Sequence, residues 1–153
     1  MITPRETIYA ALFAKLQGSL FAPAGPFKTV SRRWQDPSQI SPADRPAIYQ
    51  VERSELSVTT QKIAGAPLKW TIGLDLVIYT AGDSEPNSVP STELNNLLDA
   101  VEAAVPNLTR GLAQTLGAAK VYDCRVQGKI EIVENVQGTM ALAVVPVEII
   151  IGS

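Results

Sequence analysis

Histidine is absent from the 153-residue chain, and cysteine occurs once. The first absence excludes Ser-His-Asp and Cys-His catalysis and any His-ligated metal. The second excludes an internal disulfide and a cysteine-rich zinc site. Charge is also scarce: Asp, Glu, Lys and Arg make up 18% of the residues, against roughly 25% in ordinary domains. The 13 basic and 15 acidic residues leave a formal net charge of −2. That balance lacks the basic excess on which electrostatically driven nucleic-acid binding depends. The glycines never cluster as G-x-G-x-x-G or G-x-x-x-x-G-K, so no phosphate-cradling loop is written into the chain. No apolar run reaches the ~20 residues of a membrane helix. The longest, Met140 to Ile151, is broken by Glu148, and Pro146 with its β-branched neighbours marks it as a strand. Arg5, Glu6 and Lys15 interrupt the apolar residues of the first twenty, unlike a signal peptide. No membrane attachment is expected, and the single free cysteine, Cys124, fits a reducing compartment. What remains is carboxylate chemistry, or no chemistry.

What is present is apolar. Hydrophobic residues make up 46% of the chain. The length suits one domain, 1–153, with one core. So little charge leaves two readings open: a well-buried monomer, or an oligomer that covers apolar surface with a partner.

Thr3-Pro4-Arg5-Glu6 spells an N-cap, a proline at the first helical position and a Glu three residues after the cap. Ile8, Leu12 and Leu16 then share a stripe flanked by Tyr9 and Phe13, and Gly18 is expected to end this first helix. Residues 19–26 read as loop. Strands are expected at Phe27–Trp34, Pro46–Glu52 and, more weakly patterned, Leu56–Ile63. Leu68–Thr80 alternates over its whole length: Leu68, Trp70, Ile72, Leu74, Leu76 and Ile78 on one face, Lys69, Thr71, Gly73 and Asp75 on the other. A polar loop leads to a second helix, Ser91–Val105, with its stripe at Leu94, Leu97, Leu98, Val101 and Val105. A short helical turn and a Leu-Gly turn are expected within residues 107–119. Lys120–Val133 is a strand broken at Gln127-Gly128, Glu134–Gly138 is a turn, and Thr139–Ile151 is the last strand. Its apolar residues switch parity between Val144 and Val145, which implies two covered faces or a bulge, and Pro146 implies an edge or a bulge. The fold class that follows is α+β: a mainly antiparallel β-sheet with two α-helices packed on one face and the other face available.

Several residues invite a chemical reading. Asp75 and Glu148 sit among apolar strand residues, where a carboxylate serves as a general acid or simply keeps one sheet face wet. Arg32-Arg33-Trp34 suits contact with phosphates, a charged strand end against a subunit neighbour, or a solvated face. Between Lys69 and Arg110 there are six acids and no base, whereas residues 28–53 hold Lys28, Arg32, Arg33, Arg45 and Arg53 against three acids. Such asymmetry fits head-to-tail subunit contacts, or merely an acidic solvent face on the second helix. Cys124 reads as a small buried hydrophobe sharing a face with Tyr122 and Val126.

The capped first helix (Thr3 to Leu16), the segment Arg45-Pro46-Ala47-Ile48-Tyr49 and the long strand ending Leu76-Val77-Ile78-Tyr79 come in a telling order. They are followed by Val89-Pro90-Ser91-Thr92-Glu93-Leu94, then Gly128-Lys129-Ile130-Glu131-Ile132 and Ala143-Val144-Val145-Pro146-Val147-Glu148-Ile149. Taken together, this order resembles the tail terminator (tail completion) proteins of long-tailed bacteriophages, of the minor tail protein U type. The resemblance implies a structural virion protein at the tail–neck junction, assembled in the bacterial host cytoplasm. Six copies would form a ring that caps the finished tail tube, stops its polymerisation and offers the surface that joins the head. The implied partners are further copies of the chain, the major tail tube protein and a head completion or connector protein. DNA would pass through the ring without specific binding. No catalysis, cofactor or metal is implied. The segment opening the second helix lies near subunit contacts in such rings, which points to Ser91, Thr92 and Glu93; charge asymmetry adds Arg32, Arg33, Arg53 and Asp75. The alternatives are another neck or tail component (a head–tail connector or a tube-like subunit), a small enzyme working through Asp75, or a monomeric ligand-binding domain.

Overall fold

The computed structural model describes residues 5–58, 69–82, 89–105, 115–116, 119–120, 123–136 and 138–152. In chain order these form α1 (Arg5–Leu20), β1 (Thr29–Ser31), β2 (Ala47–Val58), β3 (Lys69–Tyr79), α2 (Pro90–Ala104), β4 (Thr115–Leu116), β5 (Ala119–Lys120), β6 (Asp123–Val126), β7 (Glu131–Val136) and β8 (Met140–Gly152). Two single turns of 3-10 helix, Pro37–Gln39 and Pro42–Asp44, lie between β1 and β2. The main sheet runs β1-β2-β3-β8-β6, with β7 also paired to β8. Among the described strands, β1 and β2 run parallel and the other pairings are antiparallel. The class is α+β, as the element pattern predicts. β4 and β5 pair with each other as a separate two-stranded ribbon.

The expected apolar stripes meet on one side of the sheet. Ile8, Leu12, Leu16 and Leu20 of α1, and Leu94, Leu97 and Val101 of α2 with Val105 just beyond it, are buried. They share one core with Trp70, Ile72, Leu74, Leu76 and Ile78 of β3 and with Ala141, Ala143, Val145, Val147, Ile149 and Ile151 of β8. Burial of these side chains is the main term holding helices to sheet, at about 25 cal/mol per Å² of apolar surface. The apparent parity switch in the last strand is corrected by this arrangement. β8 stays in register with β3 from Leu142 opposite Tyr79 to Gly152 opposite Lys69, without a bulge. Ala141 and Ala143 continue the helix-facing row, and alanine is too weakly apolar to announce a face. Leu142 and Val144 lie on the other side.

The irregularity falls instead in the partner strand. Val126 pairs with Val147 and Glu131 with Val144, so residues 127–130 span the gap opposite Val145 and Pro146. Gln127 N donates to Pro146 O at 3.0 Å. In a strand, N and C=O of one residue point the same way, so the missing Pro146 donor faces this break and costs the ladder nothing. Gly128 has φ +119°, and a Cβ there would sit 3.2 Å from Pro146 Cγ. The break expected at Gln127-Gly128 is therefore real, and Pro146 sits beside the bulge that its chemistry calls for.

Other boundaries move. Helix α1 runs two residues past Gly18, because Gly18 is exposed and costs little, whereas buried Leu20 anchors one more half-turn. The predicted cap at Thr3 and Pro4 lies outside the described residues. The strand expected over Phe27–Trp34 shrinks to Thr29–Ser31; Phe27 is buried as an isolated bridge to Phe21, and Arg32 and Arg33 form a bend. The two strands expected at Pro46–Glu52 and Leu56–Ile63 are one strand, β2, with Arg53 as the extra residue of a bulge between Glu52 and Ser54. That extra residue reverses the alternation, which is why one strand reads as two; residues 59–63 lie outside the described residues. Helix α2 begins one residue earlier than expected, with Pro90 in its first turn. The turn expected at Glu134–Gly138 gives up Glu134, Asn135 and Val136 to β7. Leu116 ends β4, and the rest of the 107–119 region apart from Thr115 and Ala119 lies outside the described residues.

Cys124 is fully buried in β6, and burial pushes its thiol up to about 12. A thiol-specific aromatic disulfide reagent should therefore leave the native chain unreacted over hours at pH 8 and titrate one thiol on unfolding. Fast stoichiometric labelling of the folded chain would contradict this packing.

Candidate assembly interface

The sheet face opposite the helices is covered at one end only. There Ile40, from the 3-10 segment, packs with Ala47, Tyr49, Tyr79 and Met140 as a second small core. Tyr49 and Tyr79 meet edge to face at 5.9 Å. Trp34 Nε1 donates to the Tyr79 hydroxyl at 3.0 Å, and that hydroxyl donates to Gln35 O at 3.3 Å. The available face is thus smaller than expected, because the chain folds Trp34, Gln35 and Ile40 back over one end of it.

The uncovered part carries charge. Arg53, set out of the ladder by its bulge, lies across Gly73 and donates to Asp75 Oδ1 at 2.6 Å. A Cβ at position 73 would come within 2.6 Å of the Arg53 guanidinium, so glycine makes room for this pair. Arg125 pairs in register with Glu148, and its Nε lies 3.0 Å from Asp123 Oδ2. Asp75 and Glu148 stand on an open surface with cationic neighbours, an arrangement that keeps a sheet face wet and offers partner contacts.

Among the described residues, both sheet edges are free for part of their length. On one side, β1 ends opposite Tyr49, so that beyond it no described strand pairs with the outer edge of β2. A shallow groove there is lined by Glu6, Arg32, Arg33, Gln50, Val51 and Glu52. Arg32 clamps Glu6 through two hydrogen bonds of 2.6 and 2.9 Å and lies 3.4 Å from Glu52. Arg5 stacks 4.6 Å above the Trp70 ring and bonds Glu55 at 2.7 Å; Tyr9 donates to the other Glu55 oxygen at 2.9 Å. On the opposite side, β7 is exposed along nearly its whole length, with Ile132 and Val133 about half exposed.

The three residues 32–34 part company. Arg32 is spent on α1 and β2, Trp34 on Tyr79, and only Arg33 makes no ion pair among the described residues. At the start of α2, Ser91 and Glu93 are half-buried and Thr92 is exposed. Glu93 Oε1 accepts from Ala81 N at 3.0 Å, so this carboxylate ties the backbone just after β3 to the helix. The structure brings Arg53 and Asp75 together and Arg32 beside Arg33, but α2's first turn is not part of either group. Sequence reasoning missed Glu6, Glu55 and the pair Ile132-Val133. Two adjacent apolar residues in a strand put one on each face, so Ile132-Val133 flanked by Glu131 and Glu134 was the legible signal.

The ion pairs predict a pH response. Hydrogen bonds from Arg32 and Arg5 hold Glu6 and Glu55 below their ordinary 4.5. Their folded-state values are lower than the unfolded ones, so their contribution is present above pH 4.5 and is lost as pH falls through the folded values. Burial, then the Glu55 hydrogen bond, pushes the Tyr9 phenol up from 10.0. Its contribution is complete below pH 10.0 and fades as pH rises further. Thermal melts should show small declines on both flanks, and Glu55→Gln should flatten the acid one. An acid flank unchanged in both Glu6→Gln and Glu55→Gln would refute the assignment.

Among known proteins, no family model matches the chain and no curated protein matches it significantly.

Proposed function

We propose that the chain is a tail-terminator-type structural protein that forms a ring on the completed tail tube of a long-tailed phage. The observation that supports this reading best is the element order. A leading helix, a proline-opened strand, a long alternating strand, a helix opened by Val89-Pro90-Ser91-Thr92-Glu93, then the strands on either side of Gly128 and the last strand through Pro146 come in an order that resembles that family. The surface is consistent with the role. A capping ring has to present different faces to the tube and to the head, and one helical face, one partly covered charged face and two unpaired edges provide distinct surfaces. A near-neutral charge lets DNA slide through a ring, because few phosphates are neutralised.

Light scattering on the purified chain, alone and mixed with assembled tubes, tests the reading. A discrete ring, free or at tube ends, is the expected result. Monomer alone with no binding to tubes would sink it, and unlimited polymerisation would favour a tube-like subunit instead.

A further inference from the structure

We propose that the two free sheet edges are the halves of one contact: the β7 edge of one copy pairs with the β2 edge of the next, so that the sheet continues from subunit to subunit. The inference rests on the ring reading only in requiring self-association. Backbone direction identifies the groups involved. Pro146 turns its C=O toward Gln127, and Ala141 turns toward Thr80 on the β3 side. Alternation along β8 then directs Leu142 and Val144 at β7, where Val133 and Glu131 face them. Ile132, between these two, turns its N–H and C=O outward. On the other side, Pro46 O accepts from Lys28 N and so faces β1. Glu52, in phase with Pro46, is exposed and turns its backbone groups outward beyond the end of β1, whereas Gln50 on the same row is buried. Gln50 also keeps a buried amide oxygen without a donor among the described residues.

An unpaired edge of this kind takes a strand. β7 suits the part: it is six residues long, contains neither proline nor lysine, and holds half-exposed Ile132 and Val133 between Glu131 and Glu134. The β2 groove offers Arg33, with Arg32 already balanced by Glu6 and Glu52. Self-pairing of the β2 edge is disfavoured: antiparallel pairing across its bulge would oppose Glu52 and Glu55, and like charges directly across a ladder repel. Two different edges make a head-to-tail contact, which closes into a ring when the rotation allows.

The test uses two variants of the full chain in sedimentation velocity. Ile132→Pro removes an outward N–H and a half-exposed side chain from β7, which an edge strand tolerates, and Glu52→Pro removes an outward N–H from β2 together with the Arg32 ion pair beside the bulge. Each should weaken assembly at least about tenfold, with far-ultraviolet circular dichroism unchanged. Mixed in equal amounts, they should form a dimer and nothing larger, because each retains one competent edge. Arg33→Glu, which leaves the backbone intact, should weaken assembly likewise if Glu52→Pro does not fold. Assembly surviving Ile132→Pro, or Glu52→Pro assembling by itself, would overturn the pairing while leaving the ring reading in place. A wild-type chain monomeric up to about 1 mM would overturn the pairing too, and tube binding would then decide the ring reading separately.

Discussion

Leu74→Ala should lower the free energy of unfolding by about 3–4 kcal/mol. Leu74 is fully buried at the centre of β3, the strand flanked along its length by β2 and β8. It lies in the row that faces both helices. Truncation there removes the transfer free energy of the lost methyl groups. It also leaves a void that cannot collapse, because the two neighbouring strands fix the backbone. The effect is a large share of the roughly 5–15 kcal/mol by which such domains are stable. Chemical denaturation with an unchanged slope and a lowered midpoint is the expected signature. Leu56, nearly two-thirds exposed on the same sheet, makes the control: Leu56→Ala should stay within about 0.5 kcal/mol of the parent. Equal losses in the two variants would contradict the assignment of the core.

Gly25→Ala should cost about 2–3 kcal/mol, although it adds a single methyl group at a half-buried loop position. A Cβ at position 25 would stand 2.4 Å from Leu20 Cα and 2.5 Å from Leu20 C and O. These are backbone atoms, so no side-chain rotation relieves the overlap. The loop is closed tightly by Gly25 N to Phe21 O at 3.1 Å, Ala22 N to Phe27 O at 2.9 Å and Phe27 N to Leu20 O at 3.0 Å. Relief therefore means opening these bonds or lifting Phe27, which is completely buried. Gly18→Ala supplies the contrast: a Cβ there meets nothing within 4 Å, and the position is helical. That change should stabilise the chain by about 0.5–1 kcal/mol. Calorimetric melting of the two variants should separate them in sign, and a neutral Gly25→Ala would mean that the loop is looser than its hydrogen bonds indicate.

These contrasts show where the sequence is readable. The stripes of α1 and α2 and the alternation of β3 are periodic over several turns or residues, so their buried faces follow from spacing alone. Pro146 carries its own constraint, and the irregularity it implied lies in the chain opposite, at residues 127–130, with β8 itself regular. The failures have physical causes. Ala141 and Ala143 are buried by neighbours and not by their own hydrophobicity, so the inner row of β8 was invisible. One inserted residue, Arg53, reversed the alternation of β2 and split it into two apparent strands. The cover over Tyr49 and Tyr79 depends on one tryptophan, two tyrosine hydroxyls and Ile40, a contact between distant segments that no local pattern encodes. Among the candidate contact residues, Arg53 and Asp75 are a real pair, yet their meeting depends on that bulge and on Gly73. Arg32 and Glu93 turn out to be committed within the chain. The two free edges were hidden because an edge is defined by what fails to pair with it.

Capping of a growing tube, the function proposed for the chain, is measured most directly by tube length. Tail tube protein is polymerised with the chain present at about one ring's worth per tube, and the products are imaged by electron microscopy. Elongation should stop, with a single added layer of density at one end of each tube and no change along its wall. Tubes that keep growing past that layer, or that carry the chain along their length, would contradict the account.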